Sequence, residues 1–206
     1  MSKIYLILLL FSGLVTAAQV SVYDENNQPV TDAVVWFSTT QKTDLELPAK
    51  RYVMNQKNRA FVPHVLVVHK GSEVEFPNLD SIMHHVYSFS ATKQFELKLY
   101  RDTPQRPIQF TDTGVVELGC NIHDWMLGYV VVVDSLFFAK TDQHGVAEMT
   151  LPVGDYKLSI WHHRFADISR PETQLVSIGK QPVRVQLQHA LLPEFNLVAD
   201  EFDEYE

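Results

Sequence analysis

The sequence is short of cysteine and of basic residues, and beyond its first twenty positions it has no long apolar run. One cysteine, Cys120, occurs in 206 residues, so no internal disulfide can form. Seventeen basic residues stand against 25 acidic ones, for a formal net charge of -8. That balance argues against nucleic-acid binding and suits a basic protein partner. After the N terminus no stretch approaches the roughly 20 consecutive apolar residues that span a bilayer. No segment shows a sustained helical period with caps, which argues against a helical bundle.

The first residues, MSKIYLILLLFSGLVTAAQ, carry Lys3, an apolar run from Ile4 through Phe11, and small residues at Ala17 and Ala18. This is the pattern of a secretory signal peptide, with cleavage expected after Ala17 or Ala18 and export to the periplasm. A transmembrane helix is the competing reading, but the apolar run is short and Ser12, Gly13 and Thr16 interrupt it. Removing residues 1–18 takes away Lys3 and leaves a net charge of -9. An unpaired cysteine in an oxidising compartment is reactive, intermolecular or metal-bound. Cys120 therefore needs an explanation.

The remainder reads as strands. HVLVV, SEVEF, HVYSF, FELKLY, GVVELG, GYVVVV, VAEMTL and YKLSIW are short runs rich in β-branched and aromatic residues, separated by turn signals such as HKGS, FPNLD and DQHG. An all-β sandwich or barrel is expected.

Chemistry concentrates in LGCNIHDWMLGY, where Cys120, His123 and Met126 stand three residues apart between two strand runs. A thiolate, two imidazoles and a weak thioether form the ligand set of a mononuclear blue-copper site. Three of these sit in one loop. The second imidazole must come from elsewhere, and NLDSIMHHVYS offers His84 and His85, of which an alternating strand aims only one at a given point. Plainer readings exist: a lone cysteine is often a small buried hydrophobe. A zinc site usually carries more thiolates. A Cys-His nucleophile is also conceivable, but it would need an oxyanion element and an orienting group that the sequence does not display.

Two resemblances organise the chain. FVPHVLVVHKGSEVEFPN supplies Phe61, Pro63, Gly71, Val74, Phe76 and Asn78; the next segment adds Asp80, His84, Val86 and Ser88; the Cys-x2-His-x2-Met loop follows. Across residues 61–133 this order resembles small cupredoxins such as amicyanin, plastocyanin and pseudoazurin. The resemblance implies a cupredoxin-like Greek-key β-sandwich and one type 1 copper held by His84, Cys120, His123 and Met126. It also implies a partly exposed His123 as the electron's exit, with Trp125 and Leu127 beside it. His85 stands where an Asn or Thr usually follows the first ligand, and Asp124 and Trp125 replace the Pro and Phe frequent in the loop.

Residues 19–40 and 139–161 are similar to the opening and later half of a transthyretin-like or carboxypeptidase-regulatory-like sandwich, through the pattern from Asp24 to Val34, the TDQHG turn and LPVGDYKL. The implied organisation is a signal peptide (1–18), a discontinuous outer β-sandwich (19–49 and 135–190), a cupredoxin-like copper domain (50–134) and an acidic tail (191–206). A single elaborated sandwich is the alternative. The expected function is periplasmic one-electron transfer rather than enzymatic turnover, with a c-type cytochrome or a periplasmic dehydrogenase as partner. A copper delivery or storage protein and a purely structural β-sandwich are the competing classes. His162 and His163, at a strand end of the outer sandwich, suit a solvated end better than a second metal site. His64, His69, His144 and His189 form no constellation in the sequence.

Overall fold

The computed structural model describes residues 15–39, 47–104, 106–179 and 181–194. Among these residues there is no helix, hence none long and apolar enough to cross a membrane. The chain opens with β1 (Val15–Tyr23) and β2 (Val34–Thr39). It then forms β3 (Arg51–Val53), β4 (Asn55–Lys57), β5 (Ala60–Val62), β6 (Val65–His69), β7 (Glu73–Glu75), β8 (His84–Ser88), β9 (Phe95–Tyr100), β10 (Ile108–Gln109), β11 (Gly114–Gly119) and β12 (Leu127–Val133). It closes with β13 (Phe137–Lys140), β14 (Val146–Pro152), β15 (Gly154–Trp161), β16 (Glu172–Ile178) and β17 (Val183–Gln186). The fold is an all-β sandwich architecture.

Strands sort by sheet according to their place in the chain. The first two and last five form the sheets β14-β1-β17 and β13-β2-β15-β16. The ten between them form the five-stranded sheet β6-β12-β11-β8-β9, the small sheet β10-β7-β3 and the hairpin β4-β5. Most of the expected leader lies outside the described residues; its residues 15–18 extend β1 along β14, from Val15 opposite Pro152 to Ala18 opposite Met149. The expected tail lies outside them beyond residue 194.

β12 explains how the two sets of sheets meet. Its sequence LGYVVVV is apolar at consecutive positions, and all but Leu127 are buried. A strand of that kind has both faces covered. Alternate side chains separate accordingly: Val130 and Val132 join Met54, Phe61, Cys120 and Met126 in one core. Tyr129, Val131 and Val133 join Phe37, Leu158, Ile160 and Trp161 in the other. β6 and β11 split in the same way, Val68, Val116 and Leu118 facing one core and Val65, Val67 and Val115 the other. Each fully buried aliphatic side chain contributes about 1.5–3 kcal/mol. The sheet whose strand β11 leads into the cysteine is thus also one wall of the core that holds Phe37 of β2 and Leu158, Ile160 and Trp161 of β15.

Candidate metal centre

β11 ends at Gly119, and Cys120 follows at once; β12 begins at Leu127, directly after Met126. The two strands are antiparallel neighbours, with Gly119 opposite Leu127. The intervening loop is closed by the Met126 amide, which donates to the His123 carbonyl at 3.0 Å. On the other side of β11, Gly119 is also paired with Tyr87 of β8. This brings the start of β8, and with it His84, beside the end of β11.

The side chains converge. Cys120 Sγ is 4.0 Å from His84 Nδ1 and 3.9 Å from His123 Nδ1. The three donor atoms all lie within 4.8 Å of one another, and all three residues are buried. Among the described residues no other trio of His, Cys, Asp and Glu side chains converges in this way. Bonds of about 2.0–2.1 Å to nitrogen and about 2.3 Å to sulfur, spread by about 120°, separate the two donors by about 3.8 Å. The observed spacing therefore fits a soft ion at the centre of the trio. Met126 is buried in the same apolar core as Cys120.

His84 is fully buried, and its Nε2 lies 2.8 Å from Asp80 Oδ2. A neutral ring that donates from Nε2 keeps its lone pair on Nδ1, the atom facing Cys120. Asp80 is held in turn, with Oδ1 accepting from the Asn58 amide at 2.7 Å and Oδ2 from the Arg59 amide at 2.9 Å. Burial pushes the Asp80 carboxyl up, but the hydrogen bonds from Arg59, His84 and Asn58 together hold it below the usual carboxylate range. His85 faces elsewhere, its Nε2 2.9 Å from Glu96 Oε1 on β9. The β8–β9 register slips between the pairs His84–Tyr100 and Val86–Leu97. Such an irregularity re-aims side chains at a site.

Two expectations need correction. His123 is only 6% exposed, and the half-buried Trp125 ring packs against it with centroids 5.2 Å apart. An indole at that loop position covers the imidazole that the resemblance would leave partly open. His162 and His163 do not form a solvated strand end. His162 is buried, donating from Nε2 to the Thr31 carbonyl at 3.1 Å and accepting at Nδ1 from the Arg164 amide at 3.1 Å. His163 stacks on it at 4.3 Å and meets His64 edge-on at 5.0 Å. Burial, first of all, lowers the pKa of His162 to about 4 and that of His163 to about 3. Both rings are therefore neutral packing elements at neutral pH.

Asp80 had a place in the sequence motif but no role there. Its spacing of four residues from His84 was visible in the sequence; the contact with Asn58 and Arg59 was not.

No family model matches the chain, and no curated protein matches it. Solved structures show partial likeness. A copper-containing nitrite reductase from Thermus scotoductus SA-01 aligns at 22% identity and a TM-score of 0.38, over 56% of this chain. This chain spans only 28% of that protein's length. A purple cupredoxin from Nitrosopumilus maritimus aligns at 23% identity and a TM-score of 0.34, over 42% of this chain and 100% of its own. A reduced Cu(I) form of an amicyanin variant aligns at 20% identity and a TM-score of 0.36, over 48% of this chain and 98% of its own. Each of these likenesses is to a protein described as copper-containing or as a cupredoxin.

Proposed function

We propose that the protein holds one type 1 copper ion with His84, Cys120, His123 and Met126 and passes single electrons between redox partners in the periplasm. The observation that carries this reading is the convergence of two imidazole Nδ1 atoms on the one cysteine sulfur, all buried, at the spacing a shared ion requires. Bound copper would supply a one-electron couple stabilised by thiolate and imidazole donors.

The chain's own residues supply the rest. Cys120 and Met126 sit at the two ends of a loop fixed by a strand pair, and His84 stands on the neighbouring strand. Donors held by paired strands keep their positions when the charge at the centre changes, and little reorganisation is what electron transfer needs. The apolar core around Cys120 excludes water and lowers the local dielectric. Trp125 packs against the buried His123 ring, so a partner approaching that imidazole would also touch the indole. Ile82, Met83, Ile122 and Leu127 are exposed within a few residues of the donors, and they suit an apolar contact that forms and breaks quickly. The acidic chain favours a partner with a basic rim, such as a c-type cytochrome or a dehydrogenase.

Burial of the whole trio supports retention of the ion over ready hand-off, which weighs against copper delivery. A copper-loaded sample challenged with a chelator tests this. Retention over hours together with reversible one-electron reduction supports the carrier; rapid loss of copper supports delivery.

A further inference from the structure

We propose that Asp80 is a positioning residue for His84 and fixes which ring nitrogen faces the metal pocket. This deepens the copper reading and rests on it for its effect on potential. β4 and β5 are joined by Asn58 and Arg59, whose φ angles are 55° and 56°. Two consecutive left-handed residues make the tight turn favoured between antiparallel strands. Here the turn also aims two successive backbone amides at one carboxylate, at 2.7 and 2.9 Å. The Asp80 amide donates to Asn78 Oδ1 at 2.9 Å, and Asn78 Nδ2 donates to the carbonyls of Ile82 and Tyr100 at 2.8 and 3.1 Å. The carboxylate thus accepts from two amides on one side, while its own backbone is tied to Asn78 on the other.

Its remaining contact is the one that counts. Asp80 Oδ2 takes the His84 Nε2–H at 2.8 Å, which leaves the Nδ1 lone pair directed at the pocket shared with Cys120. The alternative tautomer would point a proton at Cys120 Sγ and close the pocket to a metal. A carboxylate behind the ring also makes Nδ1 a stronger donor. That favours the more highly charged Cu(II) and lowers the reduction potential. The hairpin of β4 and β5, which supplies no ligand, thus serves the site through its backbone.

The test begins with the metal-free full chain, ¹⁵N-labelled, where long-range ¹H–¹⁵N spectra read the His84 tautomer directly. The expected result is a single form protonated at Nε2 in the unsubstituted protein and in Arg59→Gly, which keeps both amide donors. In Asp80→Ala the tautomers mix. In copper-loaded protein, Asp80→Asn raises the potential, and Asp80→Ala weakens copper binding about 10- to 100-fold. A His84 ring protonated at Nδ1 in the unsubstituted protein overturns the proposal, as does a tautomer and potential unmoved by both Asp80 variants. If the chain takes up no copper, the functional reading fails, while the tautomer measurement still decides the role of Asp80.

Discussion

Cys120 Sγ lies 4.0 Å from His84 Nδ1, although 36 residues of chain separate them. The adjacent histidine makes no such approach, being engaged with Glu96 on the next strand. His84→Ala is therefore expected to abolish retention of Cu(II) through desalting, whereas His85→Ala keeps it. Titration of both variants with Cu(II), read by visible absorbance, checks the pair. Loss in the His85 variant alone would make His85 the ligand and contradict the assignment of His84.

Gly128 allows β12 to approach β5. A Cβ there would sit 2.8 Å from Phe61 Cβ, and Phe61 is buried. Gly128→Ala should destabilise the fold by about 1–3 kcal/mol through overpacking. Urea unfolding measures the shift, and an unchanged midpoint would contradict the close packing of that strand.

Trp161 is fully buried in β15, and its ring meets Tyr129 of β12 edge-on with centroids 5.3 Å apart. Cutting it to alanine is expected to cost about 3–5 kcal/mol. Because the two sets of sheets share that core, the strands around the cysteine should lose stability too. Hydrogen exchange of β12 amides reports this: faster exchange in Trp161→Ala is expected, and unaltered protection would mean the two halves are energetically independent.

His162 and His163 make stability depend on pH in a defined window. Burial keeps both neutral in the folded protein, down to about pH 4 and about pH 3, while in the unfolded chain they take up protons near pH 6.5. Above that value neither state binds the proton, and the stability is whole. As pH falls below about 6.5 the unfolded state binds protons that the folded state refuses, so stability declines toward pH 4 and 3. His163→Phe should flatten this decline, seen by comparing urea midpoints at pH 7.5 and pH 5. An equal slope in the variant would show that the ring is solvated.

Much of this was legible in particular residues. The strand runs around the cysteine announced β11 and β12, and CNIHDWM announced a soft donor loop, because donor type and spacing are local properties. The β4–β5 hairpin was not legible: its turn is Asn58-Arg59, without the glycine that usually marks such a turn, and its strands are three residues long. Asp80's function depends on amides 21 and 22 residues away. The burial of His123 depends on where one indole ring comes to rest, and the burial of His162 on Thr31 and Arg164. Such facts belong to tertiary packing, which a linear pattern does not record.

The most direct test of the copper reading is a spectrum. The purified protein, reduced and then given one equivalent of Cu(II), is expected to develop an intense visible thiolate-to-copper band and a type 1 EPR signal. Cys120→Ser should abolish both. A colourless protein whose Cys120 reacts with a thiol reagent equally well before and after copper would contradict the reading.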